Sequence, residues 1–150
     1  MRLAPLSTKE AQRVATVATF DILDTEPEAD FDNLTLLARP VCHTPIATIG
    51  ILDSAREWFK ASLGIELREL ALNDSFSAHA LRGPQVLVIP DAAENSRFAN
   101  LSLVDGEAGI RFFAGAPLIT RSGSAIGTLS VMDRMPRIDF SSNNAPHYRR

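Results

Sequence analysis

The sequence predicts an α+β fold, with helices on both sides of one antiparallel sheet. Residues 110–133 form two apolar runs around the polar segment 120–124, and this pattern is typical of a β-hairpin. A second hairpin is indicated by the strand patterns of residues 46–53 and 57–62. Because helical patterns precede and separate the two hairpins, both faces of the sheet are expected to be covered.

The composition favours one soluble, cytoplasmic domain. The chain has 150 residues, 45% of them hydrophobic and 22% charged, which is enough for a proper core. Its net charge is −3 and no basic stripe lies beside aromatic residues, so nucleic acid is not an expected partner. The apolar stretches are too short to span a membrane, and the N-terminus lacks the apolar region of a signal peptide. The single cysteine, Cys42, excludes an internal disulfide and suits a reducing compartment.

Two helices are predicted before the first strand. Ser7 and Glu10 have the spacing of a capping box, and the helix that follows carries a small apolar stripe formed by Ala11, Val14, Ala15 and Ala18. Thr25 and Glu28 repeat this spacing before the second helix, whose apolar side consists of Phe31, Leu34, Ala38 and Val41. Pro40 lies inside the second helix, so a kink or an early end is expected there.

The segment between the hairpins is predicted to contain a short helix, a strand and a long loop. The helix covers residues 76–82, the strand covers residues 86–89, and residues 92–109 form a helical turn followed by the loop. Asp91 is expected to cap that turn. Both faces of the second hairpin are apolar or small, so its strands should be central. Close approach of a helix, or less favourably of a ligand, is indicated by Ala114, Gly115, Ala116 and Gly127.

One charged residue stands inside a strand of the second hairpin. Arg111 lies between Ile110 and Phe112, where an unpaired charge would be costly. An acidic partner is therefore expected, and Asp91 or Asp133 is the candidate. A structural ion pair is favoured over an anion-binding site.

Several motifs occur in order along the chain, at residues 20–25, 31–32, 56–60, 74–80, 97–100, 109–118 and 126–133. Together they resemble a GAF domain, a sensing module of bacterial signalling proteins that is often placed ahead of histidine kinase or diguanylate cyclase domains. The resemblance implies a central antiparallel sheet of five to six strands with helices on both faces. The domain is expected to cover residues 1–137, and residues 138–150 are expected to form a poorly ordered polar tail.

The resemblance also implies a small-molecule chamber between the sheet and a lid made of the short helix and the long loop. An apolar lining with a few polar points suits a compact, partly aromatic or heterocyclic metabolite. One alternating face of residues 112–116 would form the floor, and the face with Phe112 is favoured. The ligand-binding residues predicted in this way are Phe76, Ser77, His79, Asp91, Arg97, Phe98, Phe112, Ala114 and Ala116.

No enzyme site is predicted. Ser75 or Ser77 with His79 and Asp91 gives the residue types of a hydrolase triad, but the Gly-x-Ser-x-Gly elbow is missing. Three such common residues occur together by chance in a chain of this length. Six carboxylates between residues 21 and 32 lack the register of a calcium loop, so a solvated helix start is favoured there.

The single cysteine limits the chemistry further. GAF proteins that reduce free methionine sulfoxide use several cysteines, and tetrapyrrole attachment needs a cysteine beside the chamber. Cys42 belongs to the second helix, remote from the chamber, and together with His43 it lacks further ligands at zinc spacing. No turnover, covalent bilin or metal is therefore expected, and the identity of any other cofactor stays open.

The preferred function is a non-catalytic sensory or regulatory module that binds a small molecule for signal transduction. The alternative is a protein interaction domain whose chamber is filled by its own side chains. A homodimer through the first two helices is expected, since their small residues allow close helix approach. An output kinase or cyclase domain, in trans or outside this sequence, is the further partner that the resemblance implies.

Overall fold

Six strands form one antiparallel sheet in the computed structural model of the protein, which describes residues 8–138. They are β1 (Ile46–Leu52), β2 (Arg56–Leu63), β3 (Glu69–Ala71), β4 (Leu87–Ile89), β5 (Phe112–Ile119) and β6 (Ala125–Asp133). Their order across the sheet is β3-β2-β1-β6-β5-β4. Both predicted hairpins are confirmed, as β1 with β2 and β5 with β6, and the two hairpins join where β1 pairs with β6.

Four α-helices accompany the sheet in the described part of the chain. They are α1 (Thr8–Phe20), α2 (Ala29–Cys42), α3 (Ser77–Ala80) and α4 (Ser102–Asp105), with 3-10 turns at Leu72–Asp74 and Ala92–Glu94. The α+β fold is thus confirmed, with α3 shorter than predicted. The structure contains no helix between residues 8 and 138 that is long and apolar enough to cross a membrane.

The sheet has two covered faces. The helix face lies under α1 and α2, and its core contains Val17, Ala38, Cys42, Ala47, Ile49, Phe112, Ala114 and Val131. The lid face lies under α3, α4 and the segments around them, which we call the lid. Its core contains Ile46, Phe76, Ile89, Phe98, Leu103, Val104, Phe113 and Met132. Because side chains alternate along a strand, neighbouring residues such as Phe112 and Phe113 belong to different cores.

The start of α2 does not follow the predicted capping box. Glu28 occupies the N-cap position without a capping side-chain hydrogen bond, and the Thr25 hydroxyl donates to the Ile22 carbonyl at 2.5 Å. That prediction is therefore wrong. For the capping box predicted at α1, Ser7 lies outside the described residues, and the Glu10 carboxylate pairs with Arg13 at 2.8 Å.

The end of α2 is set by backbone conformation. A kink or an early end was predicted at Pro40, and the early end is excluded because the helix continues through Pro40 to Cys42. His43 then adopts a left-handed conformation with φ 56°. The N–H groups of His43 and Thr44 donate to the carbonyls of Pro40 and Arg39, which satisfies acceptors that the last turn leaves open.

The apolar side predicted for α2 is only partly buried. Thr35, Ala38 and Cys42 are buried against the sheet, whereas Leu34 has 47% of its surface exposed. Two further leucines, Leu36 and Leu37, are more than half exposed. The outward surface of α2 therefore carries exposed leucines.

Helix α1 is fixed to the sheet by one arginine. The Arg13 guanidinium donates to the carbonyl of Leu52 at 2.7 Å, of Asp53 at 3.1 Å and of Ala125 at 3.2 Å. These carbonyls lie where β1 ends and β6 begins, so Arg13 holds α1 against that end of the sheet. Arg13 and Val17 are the buried residues of α1, and the predicted small stripe leaves three residues exposed, Ala11, Ala15 and Ala18.

The connection between α1 and α2 is held by a buried lysine of β2. The Lys60 ammonium donates to the Thr25 hydroxyl at 2.7 Å and to the Glu26 carbonyl at 2.6 Å. It pairs with the Glu28 carboxylate at 2.6 Å and lies 5.5 Å from the centre of the Phe31 ring. The side chain of Lys60 is fully buried, so these contacts replace all of its hydration.

Replacing Lys60 by methionine should lower the free energy of unfolding by about 2 kcal/mol, because charge-assisted hydrogen bonds are lost while the stem volume is kept. Glu28 is 59% exposed on its side chain and returns to water without penalty. Urea denaturation measures the change, and the exposed Lys9→Met variant is the matched control. Equal stabilities of the two variants would show that the linker contacts contribute nothing.

Two glycines of the second hairpin are approached closely, but not by a helix as predicted. A Cβ on Gly127 would lie 2.0 Å from the carbonyl oxygen of Gly50 in the adjacent strand. A Cβ on Gly115 would lie 2.6 Å from the ring of Phe113 and 3.0 Å from the Ser130 hydroxyl. Each glycine therefore accommodates a neighbour within the sheet itself.

Candidate functional site

Aromatic rings fill the centre of the lid face. The rings of Phe76 and Phe113 are stacked, with centroids 4.7 Å apart and an interplanar angle of 14°. The ring of Phe98 lies 5.8 Å from that of Phe76, and each of the three residues is at most 2% exposed. Phe76 and Phe98, two of the predicted site residues, are thus brought together by α3 and the segment after β4.

The predicted floor lies on the opposite face. Phe112 and Ala114 pack in the helix-face core with Ala38 and Cys42, and Ala116 shares their alternation along β5. The favoured choice of face is therefore wrong. The lid face of β5 carries Phe113 and Gly115 instead, as the cluster of Phe113 with Phe76 and Phe98 shows. The sequence gives both alternating sets, but only packing decides which set meets the lid.

His79 and Arg97 lie together at the rim of the aromatic cluster. The His79 ring meets the Phe98 ring edge-on at 4.9 Å, and the Arg97 guanidinium lies 5.5 Å from the centre of the same ring. Arg97 approaches His79 Nδ1 at 3.3 Å, and a guanidinium has only donors, so Nδ1 accepts. Burial, then the charges of Arg82 and Arg97, lower the pKa of His79 and favour the neutral ring.

A row of buried hydroxyls crosses the lid face next to α3. The hydroxyls of Ser77 and Thr128 share a hydrogen bond at 2.8 Å, and Ser130 donates to Thr128 at 3.0 Å. All three residues are at most 2% exposed. Ser77 was predicted as a site residue, whereas Thr128 and Ser130 were not. The alternation of Thr128, Ser130 and Met132 in β6 was the available signal, because small polar residues on one face of a buried strand need polar neighbours.

A buried carboxylate lies beside this row. Glu57 of β2 is 2% exposed, and its Oε1 accepts from the Ser75 hydroxyl at 2.7 Å. Its Oε2 has no hydrogen-bond partner among the described residues. Burial raises the pKa of the Glu57 carboxyl from an ordinary 4.5 to about 7, while the hydroxyls of Ser75 and Ser77 oppose the rise. Glu57 was predicted to lie in a strand but not to be a site residue.

The lid is closed by a carboxylate, Asp74, that was not predicted as a site residue. Asp74 Oδ1 accepts from the backbone N–H of Ser102 at 2.8 Å, and Asp74 Oδ2 accepts from the Ser102 hydroxyl. Asp74 thereby links the 3-10 turn before α3 to the first residue of α4. The two residues are 28 positions apart in sequence, so local spacing does not predict their contact.

The other polar residues of the prediction have structural contacts. Asp91 accepts from the Ala93 N–H at 3.3 Å, which confirms it as the N-cap of the turn Ala92–Glu94. Arg111 lies just before β5 and not inside it as predicted, and its guanidinium donates to the carbonyls of Val104 at 2.9 Å and Ile110 at 3.1 Å. Between residues 8 and 138, no salt bridge joins Arg111 to a carboxylate, so the predicted acidic partner is wrong. Asp133 pairs with Arg137 at 2.6 Å.

The residue types of a hydrolase triad are not arranged as one. The Ser75 hydroxyl bonds to Glu57, and the Ser77 hydroxyl bonds to Thr128. His79 bonds to Arg97, and Asp91 bonds to a backbone N–H. A nucleophile needs its base within hydrogen-bond reach, and these side chains are engaged elsewhere. Within the described range, no group of three His, Cys, Asp or Glu side chains is placed to hold a metal ion.

An open groove lies away from the lid face. It has a volume of about 390 Å³, and its lining consists of Leu36, Arg39, Pro40, His43, Thr44 and Leu63. These residues belong to the second half of α2, to the two residues that follow it and to the end of β2. None of the predicted ligand-binding residues lines this groove.

Comparison with known proteins agrees with this architecture. A cyclic di-GMP phosphodiesterase of Pseudomonas aeruginosa is 40% identical over 137 residues, which are 91% of this chain and 23% of the relative. The chain therefore spans about a quarter of that protein's length. The GAF domain of an Acinetobacter phosphoenolpyruvate-protein phosphotransferase superposes with a TM-score of 0.60 at 18% identity, over 92% of this chain and 84% of that one.

The same fold occurs in an enzyme. A free methionine-R-sulfoxide reductase of Neisseria meningitidis superposes with a TM-score of 0.61 at 14% identity, over 97% of this chain and 86% of that one. At this identity the likeness shows the fold alone. The family model named "GAF domain" matches residues 12–145, which is most of the sequence. With its six-stranded antiparallel sheet between helices and lid, the chain belongs to the GAF domain family.

Proposed function

We propose that this chain is a non-catalytic sensory module that binds a small molecule at the lid face for signal transduction. GAF domains form a family of sensory and regulatory modules. The observation that supports binding at the lid face is the buried polar row under a short, mostly non-helical lid. A carboxylate and several hydroxyls do not stabilise a core as apolar side chains do, because each buried polar group loses its hydration and needs a hydrogen-bond partner.

The lid has the features of a gate for such a ligand. Helices α3 and α4 have four residues each, and one carboxylate, Asp74, joins them. Segments with few regular backbone hydrogen bonds open at lower free energy than long helices and central strands. Opening at α3 exposes Phe76, Ser77 and the floor of β6 together. A compact aromatic or heterocyclic metabolite suits stacked rings beside polar atoms.

A metabolite panel tested by thermal shift and native mass spectrometry examines this proposal. At least one compound is expected to raise the melting temperature, since a ligand at about a hundredfold excess over its Kd stabilises by about 2.7 kcal/mol. Thr128→Val keeps the volume but removes a hydroxyl of the row, and it should reduce the shift. Thr19→Val, on the exposed surface of α1, is the matched control and should keep it.

The second candidate function is an interaction domain with a filled chamber. The stack of Phe76 on Phe113 and their near-complete burial favour this alternative. This alternative is favoured if no compound raises the melting temperature of the wild type and native mass spectrometry detects no bound ligand.

Esterase and methionine sulfoxide reductase assays complete the test of the non-catalytic proposal. Wild type should not exceed a Ser77→Ala, His79→Ala double variant in either assay.

We further propose that two copies associate through α1 and α2. The exposed Ala11, Ala15 and Ala18 allow close helix approach, and the exposed leucines of α2 add apolar surface that favours burial. Light scattering should show a dimer at high micromolar concentration. Ala15→Glu should shift it to a monomer, whereas Ser96→Glu, on the lid side, should not. A wild-type monomer under these conditions overturns this proposal.

The output of the module is a domain beyond this sequence or in trans. A kinase or cyclase domain is one candidate. The relative from Pseudomonas aeruginosa carries the name of a cyclic di-GMP phosphodiesterase, so a phosphodiesterase domain is another. Co-purification of the chain with each class of output domain, followed by activity measurements with and without the chain, distinguishes them.

A further inference from the structure

The carboxylate of Glu57 is not satisfied by its surroundings. The Ser75 hydroxyl donates to Oε1, and Oε2 has no hydrogen-bond partner in residues 8–138, although the Ser77 hydroxyl is near enough to lower the pKa of the carboxyl. When the carboxyl is ionised, Oε2 is an acceptor without a donor. When Oε2 carries the proton, it is a donor without an acceptor. Neither state therefore satisfies the group, and a buried polar atom of this kind calls for a partner from outside the chain.

The backbone around Glu57 makes room for the carboxylate. A Cβ on Gly50 would lie 1.9 Å from Oε2, so the side chain crosses β1 at a residue that has no side chain. Across the next ladder Gly50 pairs with Thr128, whose hydroxyl bonds to Ser77 of α3. The free oxygen of Glu57 thus lies over β1, between the Ser75 hydroxyl and the hydroxyl row under the lid.

The neighbouring cations of β2 do not neutralise Glu57. Arg56 pairs with Asp24 at 2.7 Å and with Glu69 at 3.3 Å, and Lys60 pairs with Glu28 at 2.6 Å. Both basic residues are engaged by the α1–α2 connection or by β3. The charge that would complete this site is therefore not supplied by the adjacent residues of the strand.

We infer that Glu57 is the recognition carboxylate of the lid-face site, and that its ligand carries an N–H donor, as in a compact amine, amidine or amino-substituted heterocycle. This inference rests on the proposed function. An N–H donor at Oε2 favours the ionised carboxylate, because a charge-assisted hydrogen bond in a site of low polarity stabilises the charge that burial disfavours. Ser75 holds the carboxylate in place by its bond to Oε1, and α3 covers it.

Paired probes test the inference, each pair differing in the donor. 9-Methyladenine and benzylamine carry an amino group, whereas 9-methylpurine and benzyl methyl ether have neither an N–H nor an O–H donor. Calorimetric titration of the wild type should show the donor-bearing probe binding at least about tenfold more tightly within each pair, as one good charge-assisted bond provides. Glu57→Gln should remove this preference. Glu66→Gln, which alters an exposed glutamate, is the matched control and should keep it.

A second variant guards against an indirect effect. Gly50→Ala displaces the Glu57 carboxylate without changing its charge, and it should also reduce the preference for the donor-bearing probe. The inference is overturned if the wild type binds both members of a pair with equal affinity, or if wild type and Glu57→Gln show the same preference for the donor-bearing probe. Either result leaves the proposed function standing. An ordered water alone then satisfies Oε2. If neither the probes nor the metabolite panel bind the wild type, the proposed function fails as well.

Discussion

Replacing Glu57 by glutamine should raise the free energy of unfolding by about 3 kcal/mol at about pH 8 and change it little at about pH 5. In the folded protein, burial raises the pKa of this carboxyl to about 7, whereas its ordinary value is 4.5. Between these two pKa values, the carboxyl of the folded state therefore keeps a proton that the carboxyl of the unfolded state has lost. This proton's contribution to stability is complete below the unfolded-state value and disappears as the pH rises through the folded-state value.

Glutamine resembles the protonated carboxyl at every pH, so the variant should lose this part of the pH dependence. Urea denaturation of wild type and variant across this pH range measures it. The exposed Glu66→Gln variant changes the net charge equally and should keep the wild-type profile. Parallel profiles of wild type and Glu57→Gln would show that the carboxyl titrates normally, for example because solvent reaches it.

Gly127→Ala should destabilise the protein by about 3 kcal/mol, because the new Cβ needs space that the packed sheet does not have. It would lie 2.0 Å from the Gly50 carbonyl oxygen and 3.1 Å from the Ile51 Cα. Both atoms belong to the backbone of β1, so no side-chain rotation relieves the clash. The central pairing of β1 with β6 must separate instead, and that pairing joins the two hairpins.

Gly83→Ala is the matched control, since nothing lies within 4 Å of its Cβ position. It should leave the free energy of unfolding nearly unchanged. Thermal denaturation of the two variants decides the matter. A Gly127→Ala protein as stable as Gly83→Ala would mean that the two hairpins are joined less tightly than the structure shows.

The elements that carry local signals were predictable from the sequence. The polar turn inside residues 110–133 and the alternation around it gave the second hairpin, and Asp91 gave a helical N-cap. Local chemistry misled at two positions. Thr25 has the spacing of a capping box but bonds back to Ile22, and Glu28 is taken by Lys60 from another element. Long-range ion pairs outweigh a local cap when the partner is buried.

The candidate site shows the same division. Its aromatic and serine members, Phe76, Ser77 and Phe98, were predicted from a resemblance that fixes their place in the lid. Glu57, Thr128 and Asp74 were not, because each meets its partner or neighbour across a sheet or between loops. The spacing of residues along the chain therefore does not predict these contacts.

By itself, the sequence determined the fold class, the two hairpins and the family, because these depend on periodicity, turn residues and ordered motifs. Only the tertiary structure decided which alternating set of β5 lies under the lid. A strand with two apolar faces satisfies either assignment locally, and the choice falls to the helices that cover it. The packing of α2 on Ala114, and of Phe76 on Phe113, made that choice.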